Sequence, residues 1–284
     1  MKVLAFVDSS HYAVSVCDHA AWAASTLSVP VELLHVLERH RSDARIAADR
    51  SGRLGIDTRE TLLAQIVALD EQRNRLAHES GRHLLDEAAA RVRQGGVEGI
   101  TQRLVHGTLV DNLREHERDA ALVVLGKEGE GAGGPDSHLG SNLERVVRGS
   151  HRPVLVTSQS FHPIRRFLLA FDGGASTGRA IDFLVNHPLL SDAEGHLLMV
   201  SEGTESHRYQ LEDASTRLQA SGLSVSHHLR SGEPEHVIPQ AVKEMEANLL
   251  VMGAFGHSRI RNLMVGSTTT ALLATSTVPL LIIR

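Results

Sequence analysis

The chain contains two copies of one pattern, and this internal repeat constrains its fold more than any other feature. Residues 119–126 form an apolar run that ends in Gly126, and residues 246–253 form a matching run that ends in Gly253. Further along each copy, a Gly-Ser pair is followed by an apolar run with a proline near its start. The beginnings match as well, since residues 3–8 and 167–172 are both apolar runs that end in an aspartate. A repeat this long indicates two whole domains and not a solenoid of short units.

Each copy alternates short, mostly continuous apolar runs with segments of helical spacing, which is typical of parallel strands buried on both faces. Five such strands with right-handed crossovers form an open doubly wound sheet. We therefore predict an α/β protein of two tandem five-stranded parallel-sheet domains, residues 1–158 and 159–284. The expected strands are residues 3–7, 31–36, 100–105, 121–125 and 154–157, then 167–171, 196–200, 225–229, 249–252 and 278–283. The expected helices of the second domain are residues 177–189, 206–220, 235–246 and 268–275.

The first copy carries an insertion between its first strand and its glycine motif, at about residues 41–79. Leu62, Ile66, Leu69 and Leu76 recur there at helical spacing, with charged residues between them. This pattern favours a long helix or a helical hairpin that packs on its own domain. A segment that binds a partner or covers a ligand is the alternative.

The composition excludes several classes of protein. The 284 residues are enough for two domains with separate cores, and a net charge of −5 argues against a nucleic-acid binder. The acidic Asp8 comes too early for a signal peptide, and no apolar window is long enough to span a bilayer. The single cysteine, Cys17, excludes an intrachain disulfide and fits a reducing compartment. These features predict a soluble, cytoplasmic protein that binds neither nucleic acid nor membrane.

The second copy carries the pattern of a phosphate site. Asp172 ends its first strand and Gly253 ends its fourth, and ligands of open α/β sheets bind outside such strand ends. Asp172 is expected to accept hydrogen bonds from a ribose, while glycines and a helix N-terminus hold phosphates. The alternative is that Asp172 caps the following helix and that the glycines only make turns. The predicted phosphate residues are Gly253, Gly256, Gly266, Ser267 and Thr268, with His257 as a neighbour.

The first copy has a weaker version of this site. One extra residue separates its glycines, and Asn142 stands where the second copy has Thr268. The spacer that follows Gly129 is acidic and rich in glycine, whereas a phosphate favours neutral or basic surroundings. We expect this site to be degenerate or altered. Its candidate residues are Asp8, Gly126, Gly129, Gly140 and Ser141.

Other chemical signatures are absent or misplaced. Residues 129–134 match the string G-x-G-x-x-G, but they follow a fourth strand and precede Pro135, so no dinucleotide site is expected. The 18 histidines are scattered, and His227 and His228 would point to opposite faces of a strand. We expect no metal site and no catalytic group of nucleophile, base and orienting residue.

The run Gly253-x2-Gly256-x9-Gly266-Ser267-Thr268, between an Asp-ending strand and the final run Val278-Pro279-Leu280-Leu281-Ile282-Ile283, resembles the universal stress protein family. The resemblance covers both copies apart from the insertion. It implies Rossmann-like domains with strand order 3-2-1-4-5, paired through their last strands, Val154–Thr157 and the run from Val278 to Ile283. It also implies binding of ATP or a related adenine nucleotide. Mg²⁺ is considered as a companion ion of such a nucleotide, apart from the resemblance. The ends of the second strands, Val36 and Val200, would contact the nucleoside.

These observations predict a tandem stress protein that binds an adenine nucleotide, mainly in its second domain, and acts in stress response or signalling rather than catalysis. Two alternatives remain at this point. One is a scaffold that carries a different ligand or binds a protein, and the other is a weak ATPase. The sequence is also compatible with a homodimer.

Overall fold

The structure, a computed structural model, describes residues 1–37, 56–129, 141–254 and 267–284. Strands and helices alternate through both halves of the chain. The strands are β1 (Lys2–Phe6), β2 (Val31–Leu37), β3 (Ile100–His106), β4 (Ala120–Gly126), β5 (Val154–Thr157), β6 (Arg166–Ala170), β7 (Glu194–Val200), β8 (Val225–Arg230), β9 (Leu249–Gly253) and β10 (Leu280–Ile283). The helices are α1 (Ala13–Leu27), α2 (Ile56–Gln94), α3 (Leu109–His116), α4 (Ser141–Gly149), α5 (Ala175–Asn186), α6 (Glu205–Ala220), α7 (Pro234–Glu244) and α8 (Ser267–Thr275).

All ten strands form one sheet in the order β3-β2-β1-β4-β5-β10-β9-β6-β7-β8. Strands within each half run parallel, and both halves have the predicted order 3-2-1-4-5 when each is numbered from its own first strand. The halves meet where β5 and β10 pair antiparallel, with Leu155 opposite Leu281. We call this pairing the β5–β10 seam. The predicted α/β fold with two Rossmann-like halves is confirmed, and the last strands pair as the resemblance implied.

The central strands are buried because helices cover both faces of the sheet. One apolar layer packs α1, the end of α2, α5 and α6 against one face, and it includes Val3, Leu122, Phe167 and Val251. The other layer packs α3, α4, α7 and α8 against the opposite face. Each layer contains residues of both halves, so burial continues across the β5–β10 seam.

The insertion contributes to one long helix, α2, which begins at Ile56 and continues to Gln94. The helical backbone runs without a break past residue 79, so the insertion and the segment that follows it form one element. The C-terminal part packs on the sheet through Leu85, Ala89 and Val92, which are buried. The described part of the insertion is therefore a single helix, and residues 41–55 lie outside the described residues.

Proline accounts for two differences between predicted and observed boundaries. Helix α5 ends at Asn186, before the predicted residue 189, because Pro188 disfavours helical backbone in the residue that precedes it. The last strand begins at Leu280 and not at Val278. Pro279 has no N–H for a ladder hydrogen bond, and the Val278 N–H bonds instead to the Ser276 hydroxyl at 3.3 Å.

Candidate functional site

The candidate site of the second half lies where the strand order of that half reverses. Strand β6 pairs with β7 on one side and with β9 on the other. The chain therefore continues from β6 to β7 and β8 on one side, and then crosses to β9 on the opposite side of β6. Asp172 follows the end of β6, and Gly253 is the last residue of β9. Ala170 pairs with Met252, which places the two candidate residues at the same edge of the sheet. This is the position at which open α/β sheets bind ligands.

Asp172 stabilises the turn into α5. Its Oδ1 atom accepts hydrogen bonds from the Gly174 N–H at 2.8 Å and from the Thr177 hydroxyl at 2.7 Å. The N-cap residue of α5 is Gly174, which has no side chain to make a cap hydrogen bond. Asp172 instead closes the turn that leads into the helix, because its side chain bonds the N–H two residues further along. The part of the alternative in which Asp172 shapes the start of α5 is therefore present as a turn-closing role. It occupies Oδ1 and is compatible with a second role in ligand binding.

Packing alone requires a glycine at position 253. A Cβ atom at this position would lie 2.4 Å from the Ser176 hydroxyl and 3.1 Å from the Thr177 backbone nitrogen. Only glycine lets the end of β9 approach the N-terminus of α5 so closely. The glycine that the sequence assigned to phosphate binding also fixes the distance between strand and helix.

Two further elements reach the same edge. Val200 ends β7 and is half-buried, so it offers an apolar surface beside the end of β6. Helix α8 begins at Ser267, with Thr268 as its second residue. Because α8 connects β9 to the parallel strand β10, its N-terminus lies at the edge where β9 ends. Gly256, His257 and Gly266 lie outside the described residues, as does the side chain of Ser267.

The first half differs at the residue that packs on its glycine. Asp8 forms a similar turn, with its Oδ1 accepting hydrogen bonds from the N–H of Ser10 at 3.1 Å and from the Ser10 hydroxyl at 2.5 Å. Tyr12 occupies the place that Ser176 has in the second half, and a Cβ atom on Gly126 would lie 2.7 Å from the Tyr12 Cβ. Tyr12 is 4% exposed. A large aromatic side chain therefore packs where the second half has a small hydroxyl.

The first-half edge is also more acidic. A Cβ atom on Gly129 would lie 3.3 Å from Asp8 Oδ2, so the glycine loop lies against this carboxylate. Burial raises the pKa of the Tyr12 hydroxyl, and the negative charge of Glu128 adds to this effect. Val36 is half-buried near the end of β2, and α4 begins at Ser141. Gly140 and the side chain of Ser141 lie outside the described residues.

In each half, a basic side chain donates hydrogen bonds to carbonyl oxygens at the C-terminal end of a helix in the other half. The Lys127 ammonium donates to the carbonyl oxygens of Ala274 at 2.7 Å and Ser276 at 3.0 Å, at the C-terminus of α8. Arg284 donates to the carbonyl of Arg148 in the last turn of α4. A cation at a helix C-terminus satisfies unpaired carbonyls and interacts favourably with the helix dipole. Lys127 directly follows Gly126, so the strand end at the first candidate site is connected by hydrogen bonds to the helix that begins at the second.

Comparison with known proteins decides the family. The model of the universal stress protein family matches residues 1–158 and 190–284, which is most of the chain. The chain belongs to this family. As a universal stress protein with two matching halves, it is a tandem member, and the predicted resemblance is confirmed.

One curated relative supports this assignment, and solved structures can be compared with the fold. The universal stress protein Slr1230 of Synechocystis sp. is 34% identical over 285 aligned positions, which cover 100% of this chain and 99% of that protein. The crystal structure of a universal stress protein from Archaeoglobus fulgidus covers 100% of this chain and 96% of its own, with a TM-score of 0.72 and 20% identity. A shorter universal stress protein, solved in complex with cAMP, covers 43% of this chain and 97% of its own, with 23% identity and a TM-score of 0.38.

Sequence reasoning missed three residues of this universal stress protein: Thr177, Tyr12 and Lys127. Thr177 had a detectable signal, since a threonine shortly after an Asp-Gly-Gly turn commonly closes such a turn. Aligning the two copies would also have placed Tyr12 opposite Ser176. Lys127 had no local signal, because its partners at 274 and 276 come from the other half.

The described ranges contain neither a group of three or more metal-ligating side chains that could hold an ion nor a helix long and apolar enough to cross a membrane. Two pairs of histidines meet across elements within these ranges. The Nε2 atoms of His78 and His106 are 3.0 Å apart, and the ring centroids of His196 and His228 are 5.6 Å apart. Two imidazoles without a third ligand do not make a structural metal centre.

Proposed function

We propose that this universal stress protein binds ATP or a related adenine nucleotide in its second half and acts in stress signalling rather than catalysis. The observation that carries this proposal is the meeting of Asp172, Gly253 and the start of α8 at the strand-order reversal. We place the domain boundary at residues 158 and 159, and we expect the protein to act in the cytoplasm.

The chemistry of this edge suits a nucleoside phosphate. A helix N-terminus offers unpaired N–H groups and a favourable dipole to anions, and glycines let the backbone approach the phosphates. A carboxylate such as that of Asp172 accepts hydrogen bonds from ribose hydroxyls. Val200 supplies apolar contact for the base. In the proposed complex, Gly253, Gly256, Gly266, Ser267 and Thr268 hold the phosphates, His257 lies beside them, and Mg²⁺ accompanies the phosphates.

The first half is less suited to the same ligand. Asp8 and Glu128 place negative charge beside Gly126 and Gly129, which opposes binding of a phosphate. Tyr12 adds bulk at the strand end. We infer that one nucleotide per chain binds with high affinity. Gly140, Ser141 and Val36 then belong to a site of altered specificity.

A signalling role follows from how a bound nucleotide acts on this fold. A ligand that binds only the folded state stabilises it by mass action. Because α8 begins at the proposed phosphates and ends at Lys127 of the other half, the bound nucleotide also stabilises a contact between the halves. No step of hydrolysis is required for such a signal.

The first experiment is to denature the purified protein and identify the released small molecules by mass spectrometry. We expect about one adenine nucleotide per chain, retained by the variant Asp8→Asn and lost from the matched variant Asp172→Asn. Asparagine keeps one side-chain oxygen that can accept the turn hydrogen bonds now made by Oδ1, so both variants should fold. It replaces the second carboxylate oxygen and its negative charge with an NH₂ donor, which removes the acceptor that we assign to the ribose hydroxyls.

Other outcomes identify the alternatives. Two nucleotides per chain, with one lost in each variant, would mean that the first site is competent. Wild-type protein that carries no nucleotide and does not bind added Mg-ATP would refute the proposal and favour a scaffold or a carrier of another ligand. Turnover of Mg-ATP well above background would favour the ATPase.

A further inference from the structure

The N-terminal part of α2 is unusually apolar for a solvent-exposed segment. Of seven large hydrophobic side chains that are strongly exposed among the described residues, three lie on this one segment. Val67 is 53% exposed, Leu69 55% and Leu76 58%. Ile66 is half-exposed beside them. Clusters of this kind mark interaction surfaces, whereas single exposed apolar residues need no explanation.

Two of the three strongly exposed apolar residues, Leu69 and Leu76, do not continue the face with which α2 packs on its own sheet. An α-helix turns about 100° per residue, so the buried positions 81, 85, 88 and 92 define one face. Ile66, Leu69, Arg73 and Leu76 are spaced by three and four residues and share a second face, rotated by roughly 110° from the first. We call these four residues the distal stripe. Val67 falls instead on the same side as the buried positions.

The spacing of the distal stripe is that of a helix-pairing surface. Leu69 and Leu76 are seven residues apart, and Ile66 and Arg73 are also seven apart. Apolar residues that recur at this interval form the seam of a two-helix coiled coil. An arginine at such a position can bury its aliphatic stem and place its guanidinium at the edge of the seam.

Charge along the helix selects the direction of pairing. Asp70 and Glu71 make one part of the segment along the distal stripe acidic, while Arg73 and Arg75 make the following part basic. Beyond the stripe, Glu79 and Arg82 carry opposite charges. A parallel pair of identical helices would place like charges together. An antiparallel pair places the acidic part of each helix beside the basic part of its partner, which is favourable.

We propose that the distal stripe is a self-association surface through which two copies of this chain pair, with their α2 helices antiparallel. A twofold axis between the helices makes the same patch serve both copies, as in other closed dimers. The described helix from residue 56 to residue 80 is roughly 37 Å long, at 1.5 Å per residue. A single helix pair of this length gives an interface at the small end of the range for specific complexes. The dimer should therefore form at micromolar or higher concentration.

The test is sedimentation equilibrium of the full-length protein over about 1–100 μM. We expect a monomer–dimer equilibrium in the wild type. In Leu69→Glu the dissociation constant of the dimer should be at least about tenfold larger. The matched control is Val67→Glu, which places the same charge on the same helix at a similarly exposed residue outside the stripe. It should dimerise like the wild type. A wild type that remains monomeric at 100 μM, or a control as disruptive as Leu69→Glu, would overturn the proposal.

Charge exchange tests the antiparallel arrangement without removing an apolar residue. The variant Asp70→Arg/Glu71→Arg makes the stripe region uniformly basic, and Arg73→Glu/Arg75→Glu makes it uniformly acidic. Each should self-associate at least about tenfold more weakly than the wild type, and an equimolar mixture should form a heterodimer. Variants that self-associate as well as the wild type would show that charge does not direct pairing and would refute the antiparallel arrangement. Circular dichroism establishes that each variant is folded.

Discussion

At the scale of single residues, packing alone explains why glycine stands at the end of β9, without any ligand. The close approach of Gly253 to Ser176 and Thr177 leaves no room for a methyl group. Gly178 lies one turn into α5 and has open space around it, since a methyl group added there would meet no heavy atom of a neighbouring element within 4 Å. A larger side chain is therefore excluded at position 253 but can be accommodated at position 178.

We predict that Gly253→Ala lowers the free energy of unfolding by about 2 kcal/mol, because the added methyl group must displace α5. The control Gly178→Ala should raise the free energy of unfolding by about 0.5–1 kcal/mol, because alanine favours a helix interior. Urea unfolding of both variants measures the difference. If Gly253→Ala were as stable as the wild type, the close packing of β9 on α5 would be wrong.

His19 is a second residue whose surroundings determine its behaviour. It lies on α1, fully buried, with its Nδ1 atom 2.8 Å from the Ser15 carbonyl oxygen and its ring edge-on to Phe161. Within the described residues its Nε2 atom has no hydrogen-bond partner. Burial lowers the pKa of His19 from 6.5 to about 4, and nearby His162 lowers it further, while the Ser15 carbonyl and Asp18 oppose the shift.

The lowered pKa of His19 predicts acid sensitivity. Below pH 6.5 the unfolded chain binds a proton at His19 that the folded chain does not bind. The stability that the neutral histidine contributes is therefore complete above pH 6.5 and is lost as the pH falls toward 4, by about 3 kcal/mol in total. His19→Asn should make the free energy of unfolding fall less steeply over this range.

The measurement is urea unfolding of wild type and variant at several pH values from 7 to 4. His236, which is exposed, provides the control. His236→Asn should keep the pH dependence of the wild type. Equal slopes for wild type and His19→Asn would contradict the assignment of the acid sensitivity to His19.

At the scale of elements, the contact between Lys127 and α8 joins the end of β4 to a helix of the other half. The ammonium holds two carbonyl oxygens at the end of α8, and desolvation by partial burial lowers its pKa. Two charge-assisted hydrogen bonds on a half-buried group contribute modestly to stability. Their position matters more, since α8 begins at the candidate phosphate site.

We predict that Lys127→Met destabilises the folded state by about 1 kcal/mol and speeds amide hydrogen exchange in the last turn of α8. Lys243→Met is the control, because Lys243 is also a lysine in the last turn of a helix, α7, and is exposed. Hydrogen exchange followed by mass spectrometry reports each helix separately. Unchanged exchange in α8 would show that Lys127 does not hold the helix end.

The sequence predicted most elements because buried parallel strands are continuous apolar runs, as in Leu122, Val123 and Val124 of β4. Element ends were less predictable, because one proline at 188 or 279 moves a boundary by several residues. For the site, the repeat indicated Asp172 and Gly253, and the structure brings them to one edge. The contacts of Lys127 could not be predicted, since they depend on how the two halves are arranged in space.

At the scale of the whole molecule, the antiparallel β5–β10 seam fixes the relative direction of the two halves. Strands of the first half point one way along the sheet, and strands of the second half point the other way. The carboxyl ends of the two sets of strands therefore lie at opposite edges of one sheet. The two candidate sites open in opposite directions, and α8 runs from the edge of one to the edge of the other.

Because the two halves belong to one chain, their pairing through the β5–β10 seam does not weaken when the protein is diluted. Two unlinked halves that paired through the same strands would separate when their concentration fell, because association costs translational and rotational freedom. Here the short connection from Thr157 to Arg166 keeps the strands together at an effective concentration on the order of millimolar. The pairing of the halves is therefore independent of how much protein the cell makes, and the two halves are always present in equal number.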